Sequence, residues 1–226
     1  MKKVFIGAIF GIFFLWGCMR QTPKSYEIAE SWYHGFSKEF LDSALSDPEW
    51  DINAPTKTAV AMGYGSSQPP LIVAIRNYES VKLLLQAGAD ANLCYCDGGL
   101  LCVSPFSAAV DKLIYAVDLD RPEKEKKEAL DTLLLLHKHG ADVNAKCQVG
   151  MQGYYVRMTP IMMAVGDDYV TSSKTAFEVA KTLLDLGANP YIQDSKGQNA
   201  FDYLNRNVDM KNKESIKKLL QTKIKK

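Results

Sequence analysis

Internal repetition constrains this chain more than any other feature. Three stretches line up. The first is Pro70–Ile75 followed by Val81–Asn92, the second Ser104–Val110 followed by Leu133–Asn144, the third Thr159–Val165 followed by Val179–Asn189. Each joins a short apolar segment opening near a proline to a longer one that carries leucine pairs and closes on Gly-Ala-Asp or Gly-Ala-Asn. Self-similarity of this kind marks supersecondary units that cannot bury an apolar face alone and must stack to do so.

The units have a local logic. Ser104 and Thr159 stand where a helix cap is needed, and the proline after each suits the first turn. Ala74, Ala109 and Ala164 allow a first helix to pack closely, and the leucine pairs form the stripe of a second. Gly88, Gly140 and Gly187 suit a left-handed helix end, after which Asp-x-Asn turns the chain. This succession resembles the ankyrin repeat, T-P-L-H-x-A followed by V-x-x-L-L-x-x-G-A-D-V-N. Weaker copies flank it. Phe40–Leu45 with Asp51-Ile52-Asn53 resembles half of an N-terminal capping repeat. Asp194–Phe201 resembles the opening of a last one, ahead of a helix with Ile216, Leu219, Leu220 and Ile224 on one face. The resemblance covers roughly residues 35–222. It implies an all-α ankyrin-repeat solenoid of about five helix pairs, three good repeats between degenerate caps, with extended β-hairpin loops. The chain departs from the pattern at the consensus histidine, where Ile72, Ser107 and Met162 stand.

Spacing is the second departure. Pro105 to Gly140 is 35 residues where Pro70 to Gly88 is 18, and the excess falls around Tyr115–Glu128. Its charged run, Glu123–Glu128, reads as a solvated helix surface. The intervals Asn53 to Pro70, Asn92 to Pro105 and Asn144 to Pro160 are 17, 13 and 16 residues, against 9 from Tyr191 to Ala200. Three adjacent hairpins are therefore longer by 8, 4 and 7 residues. Long surface loops cost order and are often functional. These carry Met62, Tyr64, Tyr95, Leu100, Met151, Tyr154, Tyr155 and Arg157, residue types that anchor protein interfaces. The same side chains would also serve to pack the hairpins on one another.

The first residues read as an address. Lys2 and Lys3 precede an apolar run, Val4–Trp16, ending in Leu15-Trp16-Gly17-Cys18. As a helix that run spans about 20 Å, short of a roughly 30 Å hydrocarbon core, so it suits a signal peptide better than a permanent span. Its end resembles the bacterial lipobox, with bulky Trp16 atypical; the alternative is an uncleaved anchor with an incidental cysteine. The expected organisation is a lipoprotein signal peptide over 1–17, lipidated Cys18 and a tether over 18–25, and the repeat domain over 26–226. Export would place the chain in the periplasm, lipid-anchored to the membrane. Met19 rather than aspartate after the cysteine favours the outer membrane.

Beyond Cys18 stand Cys94, Cys96, Cys102 and Cys147. An even number in an exported chain suggests two disulfides. A tight turn at Asp97-Gly98-Gly99 would set Cys94 opposite Cys102 and leave Cys96 for Cys147; a four-thiolate metal site is the alternative, on a spacing unusual for zinc.

No catalytic grouping stands out. Gly63–Ser67 lacks the spacing of a nucleophile elbow, and Asp167-Asp168-Tyr169 is a bare pair of acids. Removal of Lys2 and Lys3 would leave 25 basic residues against 26 acidic, which gives no reason to expect nucleic acid. From Lys211 onward the chain has seven lysines, a feature read both as contact with anionic lipid and as a soluble end cap. The expectation is a monomeric, cofactor-free, non-enzymatic module binding another protein. By resemblance to bacterial ankyrin lipoproteins that role is immunity against a delivered toxin. A scaffold for a periplasmic enzyme, such as one in oxidative-stress defence, is the alternative, and an enzyme with chemistry in its loops a further one.

Overall fold

The computed structural model describes residues 38–47, 50–55, 68–97, 101–151, 154–166, 172–208 and 210–222. The chain is mostly helical. Helix α1 (Lys38–Leu45) comes first, then α2 (Pro70–Val73), which continues as a 3-10 turn over Ala74–Arg76, and α3 (Tyr78–Gln86). Strands β1 (Tyr95–Asp97) and β2 (Leu101–Val103) lead into α4 (Pro105–Asp118) and α5 (Glu123–Lys138). Strands β3 (Cys147–Met151) and β4 (Tyr154–Met158) lead into α6 (Pro160–Val165) and α7 (Ser173–Asp185), followed by α8 (Ala200–Arg206) and α9 (Lys213–Thr222). Each helix packs on the next in a pair: α2 with α3, α4 with α5, α6 with α7, α8 with α9. Across pairs, α4 touches both α2 and α6, α6 touches α8, α3 lies against α5, and α7 against α9. Among the described residues no helix is long and apolar enough to cross a membrane.

Local chemistry explains the helix ends. Ser104 Oγ accepts from the Ser107 N–H at 3.1 Å, and Ser107 Oγ returns the favour to the Ser104 N–H at 2.9 Å, a closed capping box. Ser107 thereby takes on capping chemistry, whereas Ile72 is simply buried and Met162 is buried with its sulfur on a backbone N–H. The cap expected of Thr159 is absent. Its hydroxyl is buried without a partner among the described residues, and its backbone N–H donates instead to Met162 Sδ at 3.4 Å. The Met162 sulfur thus supplies the reciprocal half of a capping box whose other half, from the Thr159 hydroxyl, is not made. At the C-termini, Gly88, Gly140 and Gly187 have φ of 93°, 86° and 97°, a region that a Cβ disfavours. The alanine after each glycine donates back to a buried leucine carbonyl: Ala89 to Leu84, Ala141 to Leu136, Ala188 to Leu183. These bonds satisfy carbonyls that the helix itself leaves open.

The core runs the length of the molecule. Leu84, Leu133, Leu136, Leu183, Phe106 and Ile161 are almost fully buried, and Ala74, Ala109 and Ala164 are buried between them, where larger residues would hold the helices apart. Burying each leucine-sized side chain stabilises by about 1.5–3 kcal/mol. The excess residues of the central pair become added helical turns, so α4 and α5 run to 14 and 16 residues. The end of α4 projects as a result, leaving Tyr115 and Leu119 52% and 54% exposed. Arg121 covers the Tyr115 ring at 5.1 Å and donates to its hydroxyl at 2.9 Å.

An asparagine ladder joins the pairs. Asn53 Oδ1 accepts from the Asp90 N–H at 2.8 Å. Asn92 accepts from the Asp142 N–H at 2.7 Å and donates to the Gly140 carbonyl at 2.8 Å. Asn144 accepts from the Asn189 N–H at 2.8 Å and donates to the Gly187 carbonyl at 3.3 Å. Within each turn, Asp51, Asp90, Asp142 or Asn189 accepts from the N–H two residues ahead, which aims the asparagine at its target. Tyr191 takes the next asparagine position and instead stacks on Phe201, with ring centroids 5.1 Å apart.

Candidate functional site

The chain order puts both described hairpins at one end of the helix pairs. The connections within pairs lie at the other end, where Thr175 Oγ1 donates to Asp118 Oδ1 at 3.0 Å and the Ser173 hydroxyl bonds to the Lys211 carbonyl. At the hairpin end, β1 pairs antiparallel with β2 and β3 with β4, and β2 lies beside β3. The two hairpins therefore stand side by side.

In the first hairpin Tyr95 faces Val103, Cys96 faces Cys102 and Asp97 faces Leu101. Cys96 and Cys102 form a disulfide, their Cα atoms 4.0 Å apart. The expected pairing of Cys94 with Cys102 and Cys96 with Cys147 is thus corrected. The register of β1 on β2 is offset by two residues from the one that a tight Asp97-Gly98-Gly99 turn would set. A shift of the centre by one moves each partner by two, which keeps cysteines 94 and 96 on one face but exchanges the bonded one. Cys94 is exposed, and Cys147 opens β3 opposite Met158. Tyr95 is half-buried.

In the second hairpin the pairs are Gln148 with Arg157, Val149 with Val156, Gly150 with Tyr155, and Met151 with Tyr154. Arg157 is exposed and Met158 buried. The two-residue period of a strand puts positions 155 and 157 on one face of β4 and positions 154 and 158 on the other. Met62, Tyr64 and Leu100, like Cys18, lie outside the described residues.

Sequence reasoning passed over the clasp that holds this hairpin. Lys146 Nζ donates to the Gln193 carbonyl at 3.0 Å, and the Arg157 N–H donates to Ser195 Oγ at 3.4 Å. The receiving turn is organised by Asp194, whose buried carboxylate accepts from the Lys196 and Gln198 N–H groups at 2.7 and 2.8 Å and from the Tyr203 hydroxyl at 2.8 Å. The signal that would have found Asp194 is an acid ahead of Lys-Gly, the pattern of an Asx turn.

Electrostatic features sit on the helices. Burial holds the Asp111 carboxyl above its ordinary range, against the opposing attraction of Arg76. Next to it, Lys112 Nζ donates to the Ile75 and Arg76 carbonyls and to Glu128 at 3.1–3.2 Å, tying α4 to the preceding helix and to α5. A groove of about 420 Å³ opens between α5 and α7, floored by Leu113, Val117, Leu130 and Val179 and rimmed by Glu123, Lys126, Lys174 and Glu178. Its rim charges are mixed. A hydrogen bond from Lys126 and its charge hold Asp120 below the usual carboxylate range, and Lys126 is raised in return. Among the described residues no three His, Cys, Asp or Glu side chains converge in a group able to hold a metal ion. The arrangement offers a ridge of two adjacent hairpins. No protein-family model matches this chain, and no curated protein matches it.

Proposed function

We propose that this chain is a bacterial ankyrin-repeat lipoprotein, anchored by lipid on Cys18 and exposed to the periplasm, that binds another protein through its hairpin ridge without catalysing a reaction. The observation that carries the reading is the pairing of a recurrent scaffold with irregular hairpins. The asparagine ladder joins successive helix pairs in the same way, while the hairpins between them differ in length and bracing. Repetition with locally elongated, braced loops suits a binding surface: the scaffold restricts the loops before a partner arrives, so less order is lost on association. Exposed Arg157 and half-buried Tyr95 supply the anchor types. Within this reading the role is immunity, the ridge covering the working surface of a toxin delivered into the periplasm.

The test has three arms. Labelled palmitate incorporation is expected in the native chain and lost in Cys18→Ala. Crosslinked envelopes from cells carrying the tagged chain are expected to yield one dominant partner, with Tyr95→Ala, Tyr155→Ala and Arg157→Ala together reducing its binding at least tenfold, as loss of interface anchors does. Co-expression with the captured partner then separates roles: protection from its toxicity supports immunity, whereas unchanged growth and altered activity of an envelope enzyme support a scaffold. Retention of full binding in the triple variant would remove the hairpin assignment.

A further inference from the structure

We propose that the end of the molecule opposite the hairpins is a docking face for an anionic lipid surface, formed by the start of α9, the connection before it and the start of α7. The inference rests on charge and exposure there, not on acylation of Cys18. Lys211, Lys213, Lys217 and Lys218 occupy the approach to α9 and its first half, and its last turn contains no basic residue. The N-terminal end of a helix is the partly positive end, so the dipole opposes Lys211 and Lys213, while Lys217 and Lys218 stand mid-helix, more than a turn from that end. Helix-end stabilisation therefore does not account for them.

Ion pairing does not account for them either. On α4 and α5, Lys112, Lys126 and Lys127 all meet carboxylates within 3.1 Å. Lys213 bonds to the Asn205 carbonyl at 2.8 Å, but Lys211, Lys217 and Lys218 have no ion pair or side-chain hydrogen bond among the described residues. The Ser173–Lys211 bond brings the start of α7 alongside, which adds exposed Lys174. Glu214 is the outward acid of α9 and Glu178 that of α7, while Asp118 and Asp120 at the end of α4 lie beside the start of α7, bonded to Thr175 and Lys126; Asp209 lies between Val208 and Met210 in the sequence. Around α9 itself the balance stays positive, four lysines against Glu214 and Asp209.

Two features favour lipid over protein. Lysine is depleted at protein interfaces, where arginine is enriched, and residues 207–222 contain no arginine. In the same connection Val208 is 85% exposed. An apolar tip flanked by long, flexible cations fits a headgroup layer, where the tip enters the acyl boundary and the ammonium groups stay among phosphates. Docked in this way, the hairpins at the other end point away from the membrane, clear for a partner.

The experiment uses the full chain carrying Cys18→Ser, so that no acyl chain dominates. Binding is measured by sedimentation to vesicles of pure phosphatidylcholine and of phosphatidylcholine with 30% phosphatidylglycerol, in low and 0.5 M salt; the 30% and 0.5 M settings are of the order that gives strong and then screened surface charge. The apolar N-terminal run binds both vesicle types, so the ratio is the readout. The expected result is at least a tenfold preference for the anionic vesicles, abolished by salt. Lys211→Gln, Lys217→Gln and Lys218→Gln together are expected to remove most of it, while Lys82→Gln, Lys124→Gln and Lys138→Gln together leave it unchanged. Circular dichroism confirms that both variants fold. Equal partition into both vesicles overturns the proposal, as does equal loss in both variants. So does binding to polyglutamate or an oligonucleotide without a preference for anionic vesicles.

Discussion

The two hairpins occupy equivalent places in successive units and are braced by different means. The first has three-residue strands and a covalent rung between Cys96 and Cys102. The second has five-residue strands and is clasped to the neighbouring turn through Lys146 and Arg157. A short ladder has few hydrogen bonds to resist fraying, and a disulfide restricts its unfolded ensemble. A longer ladder reaches a neighbour and gains tertiary bonds. The difference teaches that loop order in this chain is obtained locally in one place and from the stack in the other.

That comparison can be broken from beneath. Leu136 lies in the buried core of α5, the helix between the hairpins. Leu136→Ala is expected to cost about 2–5 kcal/mol and to loosen both hairpins together, read by chemical denaturation and by hydrogen exchange. If only one hairpin loosens, the two do not share a foundation. A smaller and selective effect is expected from Cys96→Ser with Cys102→Ser. Loss of the bridge should cost about 2 kcal/mol on the chain-entropy account and raise exchange in β1 and β2 while β3 and β4 keep their protection. Equal exchange increases in both would show that β2 and β3 form one unit.

Asn144→Ala sharpens the other side of the comparison. It removes one bond to the Asn189 N–H and one to the Gly187 carbonyl, both at the exposed edge. The expected loss is about 1–2 kcal/mol, concentrated in residues after 189, where the turn that receives the clasp lies. Thermal unfolding with site-resolved exchange checks it; a uniform loss along the chain would argue against a directional ladder. The smallest effect is a control in α4 that touches neither hairpin. The Asp111 carboxyl is held above its ordinary value by burial, so the native state is penalised when the group is ionised. Stability from this residue is complete below the unfolded value near 3.8 and is lost as pH rises through the higher folded value. Asp111→Asn should therefore match the native chain near pH 3 and exceed it at pH 7. Because the residue is only partly shielded from solvent, water screens the effect to a few tenths of a kcal/mol. A variant less stable at pH 7 would show that the charge attracts Arg76 more than burial penalises it.

Part of this was legible before any coordinates. The helix starts at Pro70, Pro105 and Pro160 and the glycine-terminated ends follow from residue types and spacing, and the repeat resemblance added hairpins between Asn92 and Pro105 and between Asn144 and Pro160; whether the excess around Tyr115–Glu128 lengthened the helices or the link between them was left open. Other parts were not. Asp-x-Asn announced a turn, but nothing near Asn92 in the chain identifies Asp142 and Gly140 as its partners, 50 and 48 residues ahead.

The sequence by itself determined what rests on neighbours a few residues apart: helical class, capping at Ser104, left-handed ends at Gly88 and its counterparts. These depend on φ preferences and on bonds spanning three to five residues, which each segment carries wherever it is placed. The tertiary structure decided what rests on register and reach. It chose Cys96 over Cys94 for the disulfide and aimed each asparagine at the next unit. A one-residue shift in a turn centre alters no local preference, yet it changes which atoms meet across the strands.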